Sequence, residues 1–259
     1  MKKYLEKITL NKNSRGCYIL DTVKGCKYNC YNECYAKKIA ERYGYNFAKT
    51  VNRNFIRNEK QLYMFGFYDN KHENKICLDI EKIDMPFVRI GEMGDPSFDW
   101  QHTVNICSII SKANKFIVIV TKHWNKLNIK QLKILGKLNV CINTSISALD
   151  NYLQIKRRLK QFKIIGNYCK SILRIVSCDF NKDNKRGVLL SHIQEKLFKN
   201  NNVIDTIFRV SMKNKLVLNK VINTERVLFL KSKVNVSRYN KDTFFGYCND
   251  CVELCGINK

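Results

Sequence analysis

Two prolines and eleven glycines in 259 residues leave no Pro/Gly/Ser-rich linker at which the chain would divide. No low-complexity tract or internal repeat supplies a boundary either, so one domain is expected, and α/β barrels often run to this length. No apolar run approaches the roughly eighteen residues of a membrane-spanning helix. The opening stretch MKKYLEKITLNKNSRG carries charge where a signal peptide needs an apolar core. A cytoplasmic protein with no membrane partner is the expectation. Disorder is excluded by a hydrophobic fraction of 45%.

Acidic residues are also scarce, 22 against 47 Lys and Arg, for a net charge of +25. Such a balance suits nucleic acid, because cations that neutralise phosphates release counterions. Joint enrichment in Lys, Asn, Ile, Tyr and Phe is equally what an AT-rich genome produces. The halves of the chain carry similar balances, 25 basic and 13 acidic residues in 1–149 and 22 and 9 in 150–259. There is no basic tail.

What the chain has in quantity is β-α alternation. Short apolar runs predict strands at Cys17–Val23, Phe87–Gly91, Phe116–Thr121, Val140–Ser145, Ser171–Val176 and Val203–Val210. Helical periodicity falls between them, at Tyr35–Tyr43, Thr103–Ala113, Ile129–Leu138, Leu149–Ile165 and Gly187–Lys199. From Phe87 on, strand starts lie about 25 to 30 residues apart, room for one helix per connection. The fold class expected is α/β, a partial (β/α)6 barrel of parallel strands with a short Cys-rich C-terminal extension. The barrel would span 1–210 with an insertion at about 45–85, including a short strand at Lys75–Ile80, and the extension 211–259. Chemistry in such folds sits at the carboxyl ends of the strands.

Twelve cysteines in a reducing compartment read as metal ligands or small core residues rather than disulfides. Cys26, Cys30 and Cys34 fall within nine residues, in a loop between the first strand and its helix. Thiolates this dense repel one another unless a cation neutralises them. Three ligands leave a metal site open, whereas structural zinc takes four.

The loop Gly25-Cys26-Lys-Tyr-Asn-Cys30-Tyr-Asn-Glu-Cys34-Tyr-Ala resembles that of the radical SAM enzymes. It is most similar to the branch that includes spore photoproduct lyase and related phage and bacterial proteins. The family's usual spacing is three residues then two, with an aromatic before the last cysteine; this chain has three and three, with Glu33 in that place. The resemblance implies a 4Fe-4S cluster on Cys26, Cys30 and Cys34, S-adenosyl-L-methionine (SAM) chelated to the open iron, and a one-electron reductant of flavodoxin or ferredoxin type. It also implies that Gly91, Glu92, Met93, Gly94 and Asp95, after the second strand, bind the SAM amino group, with Glu92 or Asp95 as the acid. Ser145, Ser147 and Arg174, at the fourth and fifth strands, would take the remaining polar groups of SAM. His123, after the third, is a candidate proton donor or substrate ligand. His72, His102 and His192 read as structural or surface residues.

Cys248, Cys251 and Cys255 repeat ligand spacing near the end of the chain, for a second iron–sulfur cluster or a zinc. Cys178 is a candidate fourth ligand. Cys17, Cys77, Cys107, Cys141 and Cys169 stand alone and read mainly as core. A nucleic-acid substrate is favoured by charge and by Phe55, Tyr63, Phe65, Phe67 and Tyr68 among Arg53, Arg57 and Lys60, where rings stack on bases and cations track phosphates. Two alternatives stand: a peptide- or protein-modifying radical SAM enzyme with an auxiliary cluster, and a non-enzymatic zinc-bearing nucleic-acid-binding module.

Overall fold

Six strands lie parallel in the order in which the sequence supplies them. The computed structural model describes residues 9–28, 34–54, 77–225, 227–230, 233–236 and 246–259. Cys30, His72 and the aromatic residues at 55–68 fall outside these. An edge strand β1 (Asn11–Lys12) pairs antiparallel with β2 (Tyr18–Ile19). The parallel series then runs from β2 through β5 (Phe87–Ile90), β6 (Phe116–Thr121), β7 (Val140–Ile146) and β8 (Lys170–Ser177) to β9 (Val203–Ile207). The chain is therefore α/β, with a mostly parallel seven-stranded sheet. The sequential order contains no reversal of direction across the sheet.

Between the strands lie α1 (Tyr35–Arg42), α2 (Trp100–Ile110), α3 (Ile129–Leu135), α4 (Tyr152–Ile165) and α5 (Lys185–Phe198). Capping boxes start two of them, Asn128 with Gln131 and Asn151 with Gln154, each side chain satisfying a backbone donor that the helix leaves open. A last short helix, α6 (Lys215–Leu218), follows β10 (Arg209–Val210).

Three expected elements differ from those found. Cys17–Val23 is not one strand: only Tyr18–Ile19 joins the main sheet, and β3 (Val23–Lys24) turns away to pair with β4 (Val51–Asn52). The turn comes at Asp21 and Thr22, whose side chains take partners outside the ladder, Asp21 from the backbone after β5 and Thr22 from Thr103 Oγ1 at 2.8 Å. Val203–Val210 divides at Phe208, whose N–H goes to Ser177 O, and β10 joins β11 (Val227–Leu230) and β12 (Lys233–Val236) in a separate antiparallel sheet. The short strand expected at Lys75–Ile80 is helical over 77–81. There Cys77, Ile80 and Ile83 are buried together, a spacing of three that a helix brings to one side.

Alternation along β8 separates two faces. Ser171 donates its hydroxyl to Phe162 O of α4, and Leu173 and Ile175 pack with Phe162 and Leu197 of α4 and α5. Burying each of these large side chains is worth about 1.5–3 kcal/mol. The opposite parity meets the last residues of the chain. Ile172 lies against Gly256, and the Lys170 ammonium donates to Ile257 O. On β7 the Asn143 amide donates to Cys255 O at 2.9 Å. Helices thus cover one face of β7 and β8, and the tail covers part of the other.

Candidate active site

The cysteine loop leaves β3 at Gly25, whose φ of +90° and position 2.3 Å (as Cβ) from Lys49 O admit no side chain. Gly25 N–H donates to Met93 O, and Gly25 bridges Gly94. Cys26 N–H then donates to Phe47 O at 2.7 Å. These bonds fix Cys26 beside the segment that follows β5. Cys34 stands at the N-cap of α1 with no capping bond from its side chain, so its sulfur is not committed to the helix backbone. Both sulfurs are partly exposed.

Tyr28 carries the loop onto the strand ends. Its ring stacks on Trp124 at 4.2 Å and on Phe98 at 5.9 Å, while the Lys27 ammonium lies 5.7 Å over Phe98. Trp124 also receives the Arg158 guanidinium at 5.0 Å on its ring. The loop, the turn after β5 and the turn after β6 are therefore one contiguous assembly at the carboxyl ends.

The segment Gly91–Asp95 is held from behind. Asp21 accepts the backbone N–H groups of Gly91, Glu92 and Met93 at 3.1, 2.8 and 2.9 Å. Burial pushes the Asp21 carboxyl up, and those three donors oppose the rise. The glycines here serve backbone packing: a Cβ on Gly91, at φ +97°, would meet Val120 O at 2.2 Å, and one on Gly94 would meet Val23 O at 2.3 Å. Both glycines are thus required by the close approach of neighbouring backbone.

The two candidate acids have different surroundings. Asp95 is buried and accepts from Ser97 N, Thr121 Oγ1 and Lys122 N, which makes it a bracket between two turns. Glu92 is partly exposed and accepts from Asn13 Nδ2 at 3.2 and 3.3 Å.

His123 is 1% exposed, with φ +51° and its Nε2 3.0 Å from Thr144 Oγ1. Burial, with the Arg158 charge nearby, pushes its pKa down to about 3, so the ring is neutral near pH 7. Its Nδ1 and the Trp124 Nε1 are buried and lack a hydrogen-bond partner among the described residues. Ser147 is fully buried and closes the turn into α4, donating its N–H to Asp150 and accepting from Leu149 N. Asp150 also holds Arg158 and Lys122. Burial pushes the Asp150 carboxyl up, but the two cations outweigh that and hold it below its usual range. Ser145 and Arg174 are register partners on β7 and β8, on the face away from α4.

The cysteines near the end of the chain come to the same face, farther down the strands. Arg174 Nη1 approaches Cys255 Sγ at 3.9 Å. Cys248 N–H donates to Arg15 O, and the neighbouring Cys17 thiol, with the Arg89, Arg15 and Arg174 charges, pulls the Cys248 pKa down to about 6 against the effect of burial. Among the described residues no group of three or more His, Cys, Asp or Glu gathers in metal-holding geometry, Cys248, Cys251 and Cys255 included. Cys178 packs with Ala148, Phe180 and Leu190 in a separate apolar cluster, and Gln194 takes its backbone, so it is a core residue and not a ligand for the tail. A cavity of about 430 Å³ lined by Phe162, Lys163, Lys170 and Lys259 opens at the start of β8, the end of the strand opposite the turns described above.

Sequence reasoning missed Asp21 and Asn13. The first had a signal, an acid at the end of an apolar run facing a glycine-rich strand end; the second had none. No family model matches the chain, and no curated protein matches it. No helix among the described residues is long and apolar enough to cross a membrane.

Proposed function

We propose that the chain is a radical SAM enzyme built on a partial (β/α)6 barrel, acting on a macromolecular substrate of which nucleic acid is the favoured class. The observation that carries this reading is the attachment of the cysteine loop to the glycine-acid turn, through the Gly25–Gly94 bridge and the Gly25 N–H bond to Met93. Cys26 and Cys34 supply soft, partly exposed donors at the carboxyl ends, Cys34 with its sulfur uncommitted, and this donor chemistry fits an iron–sulfur cluster. Cys30 would complete the set. When bound, such a cluster supplies the electron, delivered by a flavodoxin- or ferredoxin-type reductant, that cleaves SAM and yields a 5′-deoxyadenosyl radical.

The chain's own residues bind, orient and exclude water. Glu92, partly exposed and bonded to Asn13, is the acid assigned to the SAM ammonium, since Asp95 is buried on Ser97, Thr121 and Lys122. Asp21 fixes the backbone that carries Glu92. Ser145, buried, and Arg174, partly exposed, offer a hydroxyl and a guanidinium at paired positions of β7 and β8, on the face away from α4. His123, neutral and enclosed, acts through Thr144 and the Trp124 turn as a positioning residue.

Purification without oxygen decides the class. Iron and sulfide in the protein, a brown chromophore and SAM cleavage to 5′-deoxyadenosine, all lost in Cys26→Ala and Cys34→Ala, support the reading. Zinc without iron supports the non-enzymatic module. Unchanged iron content and SAM cleavage in the triple Cys26, Cys30 and Cys34 alanine variant overturn it.

A further inference from the structure

Counting charge by halves of the chain hides a segment almost free of carboxylates. Residues 100–178 hold 14 Lys and Arg and one acid, Asp150; the other 21 acidic residues lie elsewhere. Asp150 is buried against Arg158 and Lys122, so it contributes no negative charge to the surface. Compositional drift toward lysine does not explain a depletion confined to one segment.

Folding turns this segment into a face. Lys126, Lys130, Lys133 and Lys137 recur at spacings of four, three and four along and beside α3, and Lys156, Lys160 and Lys163 at four and three along α4, with Arg157 adjacent. All eight are exposed, and none makes an ion pair among the described residues. The turn that leads from β6 into α3 rests against α4: Leu127 N–H donates to Gln161 Oε1, and Arg158 Nε donates to Lys122 O. Like charges at i, i+4 destabilise a helix, so each row is a standing cost that folding alone does not require.

We infer that the α3–α4 face is a docking surface for the phosphodiester backbone of nucleic acid. Charge complementarity selects a polyanion, and the geometry selects among polyanions. The main apolar sides of α3 and α4, including Leu132, Phe162 and Ile165, are buried in the domain, and the exposed Ile129, Ile134 and Leu153 stand singly among the lysines rather than as the continuous apolar side that a lipid surface takes up. Tyr152, 74% exposed at the first turn of α4, offers a ring for a base at the upper end of the rows. Because α3 and α4 begin where β6 and β7 end, the face starts at the rim that carries the cysteine loop and extends away from it.

The inference rests on the nucleic-acid part of the proposed function but not on the cluster, and its experiment needs neither SAM nor reductant. Fluorescence anisotropy with labelled single-stranded DNA and RNA of about 20 nucleotides, titrated between about 50 and 200 mM salt, reads the phosphate contacts directly. Replacing Lys130, Lys133, Lys156 and Lys160 with Gln is expected to weaken binding at least tenfold at the lower salt and to reduce the slope of log affinity against log salt by about 3. A control replacing the exposed Lys182, Lys185, Lys196 and Lys213 with Gln removes the same charge from elsewhere and is expected to change binding less than threefold. Equal losses in the two variants, no binding by the wild type, or binding to phosphatidylserine vesicles in preference to both oligonucleotides would overturn the assignment. A loss limited to RNA or to DNA supports the face and names the polymer. Melting temperatures of both variants at or above the wild type show that the loss is not unfolding.

Discussion

The carboxylate of Asp21 holds the backbone N–H of Met93 at 2.9 Å, 72 residues on in the chain, and holds Gly91 and Glu92 with it. Asp21→Ala strands three donors in a partly buried turn, and unfolding in urea is expected to show a loss of about 3 kcal/mol. Asp21→Asn keeps one acceptor and should lose less. A cost below about 1 kcal/mol for the alanine variant would show that water replaces the carboxylate.

Gly91 and Gly44 both sit at positive φ, +97° and +70°, but only Gly91 has a wall beside it. Gly44→Ala meets nothing within 4 Å and is expected to cost about 1 kcal/mol, the penalty of the left-handed region. Gly91→Ala drives a Cβ toward Val120 O and should cost more than about 3 kcal/mol or prevent folding. Thermal melts of the pair separate backbone strain from collision.

His123 gives acid sensitivity a definite sign. Its folded pKa of about 3 lies below that of an unfolded histidine, about 6.5, so the unfolded chain takes up the proton first. The stability it supports is whole above pH 6.5 and declines as pH falls from there toward 3. His123→Asn, which tolerates positive φ and can still reach toward Thr144, should flatten the melting temperature between pH 6.5 and 4 relative to the wild type. Identical acid limbs would refute it.

Arg158 and Asp150 form a buried ion pair under Trp124. Asp150→Ala leaves the Arg158 charge buried without its carboxylate and is expected to cost about 3–5 kcal/mol, whereas Arg158→Ala leaves Asp150 its Lys122 partner at 3.5 Å and should cost less. The double variant should cost less than the two together. Additive losses in that cycle would mean that the residues act independently.

Much of this architecture was readable from residue order. Phe116–Thr121 was found where its apolar run put it, β7 runs one residue longer than expected at its end and β8 one residue longer at each end, because long β-branched runs admit few readings. The first strand was misread because Cys17–Leu20 and Val23 read as one apolar run while Asp21 and Thr22 within it satisfy tertiary partners and break the ladder. Residues 77–81 show the opposite limit, a short segment in which spacing of three and a β-rich composition compete. At the site, Cys26, Gly91 and Asp95 were visible as motif residues, yet Gly91 and Asp95 have structural roles that the motif did not announce. Asp95 braces turns, and Gly91 makes room for a carbonyl, functions that depend on contacts between distant segments and leave no periodic trace.

The bond from Cys248 N–H to Arg15 O joins positions separated by most of the chain. Cys17 and Ile172 acquire their last neighbours only from residues 248–256, after every parallel strand has been synthesised. Contacts of such sequence separation slow folding, because the loop must close before anything rewards the closure. Until residues 248–256 have emerged from the ribosome, the part of the sheet around Cys17 and Ile172 lacks its cover, and transiently exposed apolar surface of that kind is where aggregation starts.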